Sequence, residues 1–324
     1  MRIIKPSATL MEHNVPPYEF IERVGRTCYK SEDLITEGSD EKFVKGLVNR
    51  QHWAILEHET LFLEVSDFLI NNFLFDMQEH LNALKFFNIT YDEHFNIISG
   101  SFRSFHDLFE NKAINSDSVR YMESVLRNNY PLVFGEFEDT KSTIFFECDC
   151  LLHSRKQFVD KFRNRHDILS RHLTHTFLFV CDRGVSHEFV RHRVASFAQE
   201  STRYCNYSKN KFGEEITVIE PCFFEKGSDE YKKWRIICDY CEIYYFDLLR
   251  FGATPQEARS VLPNSLKTEI IITATEEEWQ HIVNLRYLGT TGAPHPQIKE
   301  VMCLILADLV IQSGGRISVD KGEK

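Results

Sequence analysis

Arg191-His192-Arg193-Val194-Ala195-Ser196-Phe197-Ala198-Gln199-Glu200-Ser201-Thr202-Arg203-Tyr204 sets three arginines, a histidine and two serines within fourteen positions. The whole chain is acidic, with a formal charge of −10, so this basic density needs a reason. Guanidinium groups bind phosphate through paired donors, and a serine hydroxyl or a backbone N–H at a helix end completes a cradle for an oxyanion. A solvated basic helix face is the alternative these residues leave open. The interleaved apolar and aromatic side chains favour a partly buried site.

Upstream, Cys181-Asp182-Arg183-Gly184-Val185-Ser186 reads as a turn, with Ser186 as an N-cap and Glu188 in the first helical turn. Val190, Val194 and Phe197 follow at helical spacing and are expected to pack inward, leaving Arg191, His192, Ser196 and Gln199 to face elsewhere. Further out, Ile3 to Leu10 is strand-like. Pro16 to Tyr29 reads as a helix because Phe20, Val24 and Thr27 share a face with Ile21 alongside. A second helix is predicted from Asp40 to Asn49. Thr60 to Val65 and Thr174 to Val180 alternate bulky and polar residues as strands do. The roughly hundred residues between them read as mostly helical, with Ser99 to Ser101 as the clearest turn signal. Toward the carboxyl end, Lys232 to Phe251 reads as a long helix ended near Gly252, and Pro255 opens another that Pro263 stops. Glu269 to Ala274 reads as a strand, and Glu276 to Leu288 and Gln297 to Gln312 as helices.

The 324 residues suffice for a full core, and 43% apolar content with 27 Phe and 12 Tyr argues for a packed globular protein. The acidic balance disfavours broad binding to nucleic acid. No apolar run approaches a membrane span and the amino terminus carries no long apolar stretch, so a soluble cytoplasmic protein is expected. The nine cysteines are scattered rather than framing short loops, and reduced thiols are expected.

Arg-His-Arg, then seven residues, then Ser201, with Arg203 two further on, resembles the signature of flavin-dependent thymidylate synthases. Other matches to that family follow in its order. Gly25 to Ser31 resembles its N-terminal helix end, His52 to His58 its Leu-Glu-His element, and Ala258 to Asn264 its Ala-Arg-x-Val-Leu-Pro element. Asn284-Leu285-Arg286 then precedes the last helix. The resemblance covers roughly residues 1 to 66 and 173 to 312, so the catalytic domain is expected at 1–66 and 173–324, with 67–172 as a mostly helical insertion. It implies an α+β fold, a bent and mainly antiparallel sheet with flanking helices like the thymidylate synthase-complementing proteins. It also implies a homotetramer with active sites shared between subunits.

Carried over residue by residue, the resemblance implies that Arg191, His192 and Arg193 bind FAD, with Arg191 also near the nucleotide. Asn284 and Arg286 would complete the flavin site from another subunit, and His52 and Glu57 would approach it from their own element. For dUMP it points to Ser201, Arg203 and Arg259 at the phosphate, with Glu188, Gln199 and Glu200 lining the pocket. The implied reaction methylates dUMP to dTMP with 5,10-methylenetetrahydrofolate and NADPH-reduced FAD. Ala54 stands where the family often has Ser or Thr, and Ala198 where Asn is common. Lys299 stands where an arginine polarises the uracil, keeping the charge but losing the fork geometry.

Cys205, between Tyr204 and Asn206, stands without the proline that the thiolate nucleophile motif of the other thymidylate synthase class carries, and it reads as structural. Cys148, Cys150 and His153, and the pair His172 and His175, reach no zinc-like set of four, so no metal is expected. Phe86, Phe87, Phe102, Phe105 and Phe109 read as core. The rival reading is a nucleotide- or RNA-binding regulator that uses the same arginines without chemistry.

Overall fold

The computed structural model describes residues 1–111, 114, 116–136, 149–203, 206–208 and 213–320. In chain order the first elements are β1 (Arg2–Ile4), β2 (Ser7–Met11), α1 (Pro17–Tyr29), α2 (Ser39–Asn49), β3 (Thr60–Val65), α3 (Asp67–Asp76) and α4 (Leu81–Leu84). Next come β4 (Phe87–Tyr91), β5 (Asn96–Ser101), α5 (Phe102–Phe109), α6 (Asp117–Asn129), α7 (Pro131–Phe134), β6 (Cys150–His153), α8 (Arg155–Phe162) and α9 (His166–His172). The last third holds β7 (Thr174–Asp182), α10 (Arg183–Phe189), β8 (Ser196–Gln199), β9 (Thr217–Ile219), α11 (Asp229–Arg250) and α12 (Pro255–Ala258). It closes with β10 (Lys267–Thr275), α13 (Glu276–Val283), α14 (Pro296–Cys303) and α15 (Leu306–Gln312).

Local chemistry starts many of these helices. Ser66, Ser101, Ser116, Ser154, Asp182, Ser228 and Thr275 each accept a backbone N–H of the first turn through the side chain. That satisfies one of the orphan donors every helix N-terminus carries. Gly252, at φ +93°, takes the left-handed conformation just past α11.

The fold is α+β, and the chain divides into two compact units. One comprises residues 12–24 and 33–174 and contains a four-stranded sheet in the order β4-β5-β3-β6, antiparallel at each pairing. Phe62, Ile97, Phe158, Phe162, Ile168 and Leu169 form a core there. The segment 67–172 is helical over most of its described length, yet β4, β5 and β6 all come from it and two of them flank β3. Ser99 to Ser101, expected as a turn, lie inside β5, where Ser99 pairs with Phe62 and Ser101 goes on to cap α5. Of the five phenylalanines read as core, Phe86 is 61% exposed, while Phe87, Phe102 and Phe105 are buried and Phe109 is half-buried.

The other unit comprises residues 1–11, 25–32 and 175–324. Its sheet runs β2-β7-β10-β8, with β2 antiparallel to β7 and β8 antiparallel to β10, and β1 pairs in parallel with β9. Phe177, Phe179, Phe189, Ile270, Ile272 and Trp279 belong to its main core. A second core forms where Tyr245, Cys238 and Val218 pack with Leu266.

Three expectations are corrected in this unit. Asp182, not Ser186, caps α10, its carboxylate accepting from Val185 N at 2.7 Å. The helix stops at Phe189, so Arg191 to Arg193 occupy a turn and residues 196–199 form a strand, with Phe197 opposite Ile272. Pairing with β10 gives residues 196–199 a ladder, buries Ala198 and packs the half-buried Phe197 against the main core, and this outweighs the helical spacing, with Val190 and Val194 left exposed. The last two predicted helices keep their bounds but are not uniform. α13 passes at Asn284 into a single π-helical turn, and α14 and α15 are separated at Leu304 and Ile305.

Candidate functional site

The turn after α10 buries His192, where it was expected to face away from the core, and exposes Arg191 and Arg193 on either side. His192 Nδ1 lies 3.2 Å from Glu278 Oε1, and its Nε2 lies 3.1 Å from Arg286 Nε. Arginine can only donate, so Nε2 accepts and the ring proton sits on Nδ1, directed at Glu278. Arg286 also donates to the Glu188 carboxylate at 3.0 Å and to the Glu188 backbone oxygen at 3.1 Å. One guanidinium therefore ties the end of α10 to the signature histidine. The π turn Asn284–Leu288 presents it, and Gly289, at φ +66°, closes that turn. A Cβ at Gly289 would meet the Gly292 carbonyl oxygen at 2.8 Å, so only glycine fits. Asn284 lies in the same turn and accepts from Gln280 Nε2 at 3.0 Å.

The ligand atoms of His192, Glu278 and His281 lie within 4.8 Å of one another. A cation there would face Arg286 and would have to displace the Nδ1 proton, so the donor set suits the hydrogen-bond network better than a metal.

Strand β8 places the next group. Gln199 donates to Ser186 Oγ at 2.9 Å and to Thr268 Oγ1 at 3.1 Å. Glu200 is buried, its backbone N–H bonded to Glu269 O at 2.8 Å and its carboxylate 3.0 Å from Lys267 Nζ. Lys267 also meets Glu269 at 2.5 Å, and Glu269 pairs in turn with Lys30. Burial works against the Lys267 charge, but the Glu200 and Glu269 carboxylates outweigh it and hold the ammonium above its ordinary range. A cavity of about 370 Å³ opens on this cluster, lined by Arg2, Lys30, Glu200, Tyr207, Lys267 and Glu269 among others.

Just beyond, Ser201 Oγ accepts from Arg203 N at 3.3 Å, and Arg259 Nη1 donates to Thr202 Oγ1 at 3.4 Å. The fold thus brings Arg259, from the far end of α12, to the segment that carries Ser201 and Arg203. Both guanidinium-bearing residues are exposed. Lys299 is exposed on α14, its ammonium 5.6 Å from the centre of the Tyr287 ring. In the other compact unit, His52 is exposed before a 3₁₀ turn, and Glu57 in that turn pairs with Arg103 at 2.5 Å. Tyr204, Cys205 and Cys148 lie outside the described residues, and the seven described cysteines are free thiols.

Residues 97–310, more than half of the chain, match the family model Thy1, the thymidylate synthase complementing protein. The chain belongs to this family. The Thy1 match takes in the signature, Arg259, Asn284, Arg286 and Lys299, and it begins downstream of His52 and Glu57. Among curated proteins, the flavin-dependent thymidylate synthase of Pyrococcus furiosus is 33% identical over 122 residues, 37% of this chain and 49% of that one. That of Geobacter sulfurreducens is 30% identical over 131 residues, 40% of this chain and 55% of that one. The chain spans about half the length of the curated relatives it matches. A solved structure of the UMP/dUMP methylase PolB from Streptomyces cacaoi, bound with 5-Br dUMP, aligns over 98% of this chain and 100% of that one. Its TM-score is 0.41 and its identity 13%.

Within this Thy1 chain, the sequence reading did not single out Lys267, Glu269 or Glu278. Lys267 and Glu269 alternate along a strand, the pattern of two side chains on one sheet face. Glu278 stands in the acidic first turn of α13, which reads equally well as helix-dipole chemistry.

Proposed function

We propose that this chain is a cytoplasmic flavin-dependent thymidylate synthase that reductively methylates dUMP to dTMP. 5,10-Methylenetetrahydrofolate is the carbon donor and NADPH-reduced FAD the hydride source. The observation that carries the reading is the approach of Arg259 to Thr202, which sets a second guanidinium beside Ser201 and Arg203. A hydroxyl with two exposed guanidinium groups suits a nucleotide phosphate dianion.

In this reading Ser201, Arg203 and Arg259 hold the phosphate, and Glu188, Gln199 and Glu200 line the nucleotide pocket. Arg191 and Arg193, exposed on either side of a buried histidine, are donors of the kind an FAD pyrophosphate needs, and Asn284 and Arg286 extend that set. His52 and Glu57 would approach the flavin from their own element. The chemistry FAD supplies when bound is hydride transfer, and the protein supplies binding, orientation and electrostatics. Arg286 fixes His192 in one tautomer, and Lys299 offers a positive charge toward the uracil.

The test is an anaerobic incubation of the protein with dUMP, methylenetetrahydrofolate, FAD and NADPH, with dTMP as the readout. A folded, yellow protein that forms no dTMP overturns the proposal. A colourless protein that retains RNA supports the regulator reading, for which the four exposed arginines 191, 193, 203 and 259 would serve.

We also propose that the chain assembles as a homotetramer with flavin sites shared between subunits. Arg286 already bonds to His192 of its own chain, so complementation decides the matter. Arg191→Ala and Arg286→Ala, each inactive alone, should regain partial dTMP formation when co-expressed, because mixed oligomers contain sites with both arginines intact. Mixed oligomers, verified by mass, that stay inactive overturn the shared site.

A further inference from the structure

Helix α11, the longest in the molecule at 22 residues, is apolar on two faces. One face is spent inward, with Cys238 and Tyr245 buried and Trp234, Phe246 and Leu249 packed against the same core. The other carries Ile236, Ile237, Tyr240, Ile243 and Tyr244, each 50 to 59% exposed. A surface helix ordinarily turns polar residues outward, and a contiguous exposed apolar stripe marks an interaction surface.

The stripe is ordered about its middle. Counting from Tyr240, the positions three residues either way are Ile237 and Ile243, and four either way are Ile236 and Tyr244. Seven either way stand Lys233 and Asp247, and ten either way Glu230 and Arg250. Offsets of three, four and seven fall on one helix face, and offsets of ten on its edge. If two copies of α11 meet antiparallel about a two-fold axis through Tyr240, each residue faces the one at the opposite offset. Isoleucine then meets isoleucine, Ile236 meets Tyr244, Lys233 meets Asp247 and Glu230 meets Arg250. A two-fold interface requires this self-complementarity, and an interface with an unrelated partner does not.

We infer that α11 pairs antiparallel with α11 of a second copy of this chain, centred on Tyr240. This names the face for the self-association proposed above and rests on it. Asp247 also pairs with Arg250 within its own helix, an exposed contact compatible with a partner's lysine at the same carboxylate.

The test is the mass of the full chain across a dilution series, by light scattering after size exclusion, with helical circular dichroism as the folding control. Ile237→Asp should weaken association by about 100-fold or more, as loss of a central apolar contact does. Lys233→Glu and Asp247→Lys sit at the rim and should each weaken it about tenfold by setting like charges opposite one another, while the double variant should recover most of the loss. Tyr240→Cys, at the axis, should give a dimer with a short bismaleimide in yield well above the wild type, and Lys226→Cys, off the stripe, should not. A monomeric wild type defeats both this inference and the assembly proposal. An oligomer indifferent to all these changes, or a double charge variant weaker than either single one, defeats this face alone.

Discussion

His172 and His175 stand three residues apart, both buried, one in each compact unit, and their surroundings are opposite in kind. His172 closes α9 with both ring nitrogens on hydroxyls, Thr90 Oγ1 and Ser99 Oγ, each at 2.8 Å. Burial with no carboxylate partner pushes its pKa down to about 3, so the ring is neutral. His175, on β7, meets Glu276 Oε1 at 2.9 Å, and Glu276 is gripped by Arg316 through two contacts of 2.7 Å. Burial works to raise the Glu276 pKa, but Arg316 and His175 outweigh it and hold the carboxyl below its ordinary range. The β3 sheet thus buries this histidine against two hydroxyls, with no carboxylate to favour its charge. The β10 sheet buries its histidine within a closed ionic cluster, and the same unit carries the arginines at 191, 193, 203 and 259 exposed. A buried residue is therefore read from its partners, not from its type.

Removing the centre of the ionic cluster should have the largest effect. Glu276→Ala leaves the half-buried Arg316 and the buried His175 without their carboxylate and should lower stability by about 3–5 kcal/mol in urea unfolding. An unchanged midpoint would mean the cluster is not closed in solution.

The exposed arginines should behave in the opposite way. Arg203→Ala and Arg259→Ala should each weaken dUMP binding to flavin-loaded protein by about 1.5–3 kcal/mol, one to two decades, with FAD retained. Stability should move by no more than about 0.5 kcal/mol. Unchanged dUMP titrations in both variants would remove them from the phosphate site.

His172 predicts a pH dependence whose sign is fixed by its lowered pKa. The unfolded histidine binds a proton below about pH 6.5 and the folded one does not until about pH 3. Its contribution is therefore complete above about 6.5 and lost as pH falls toward 3, at up to roughly 1.4 kcal/mol per pH unit. His172→Gln should flatten that part of the stability profile. A slope identical to the wild type would show that the folded ring is already charged.

The smallest effect is expected at Cys205. Cys205→Ser should keep dTMP formation, because the flavin route needs no enzyme thiolate. Abolished turnover in a folded, flavin-loaded variant would revive a covalent cysteine mechanism.

By itself the sequence determined what is local. The helices near Pro17, Ser39 and Asp229, the strands at Thr60 and Thr174 and the signature around Arg191 were legible because capping, periodicity and motif spacing act over a few residues. Through its motifs it also yielded the family, and the fold brings Arg259 to Thr202, next to Ser201 and Arg203. Tertiary structure alone decided whether residues 196–199 form helix or strand, because a run carrying both spacings takes the state that a neighbouring strand rewards, here β10. It likewise decided that Ser99 to Ser101 extend β5, that Arg286 reaches His192 across 94 positions, and that Lys267 serves Glu200 across 67. A buried charge has to find its counter-charge in space, and no spacing along the chain encodes which residue will stand opposite.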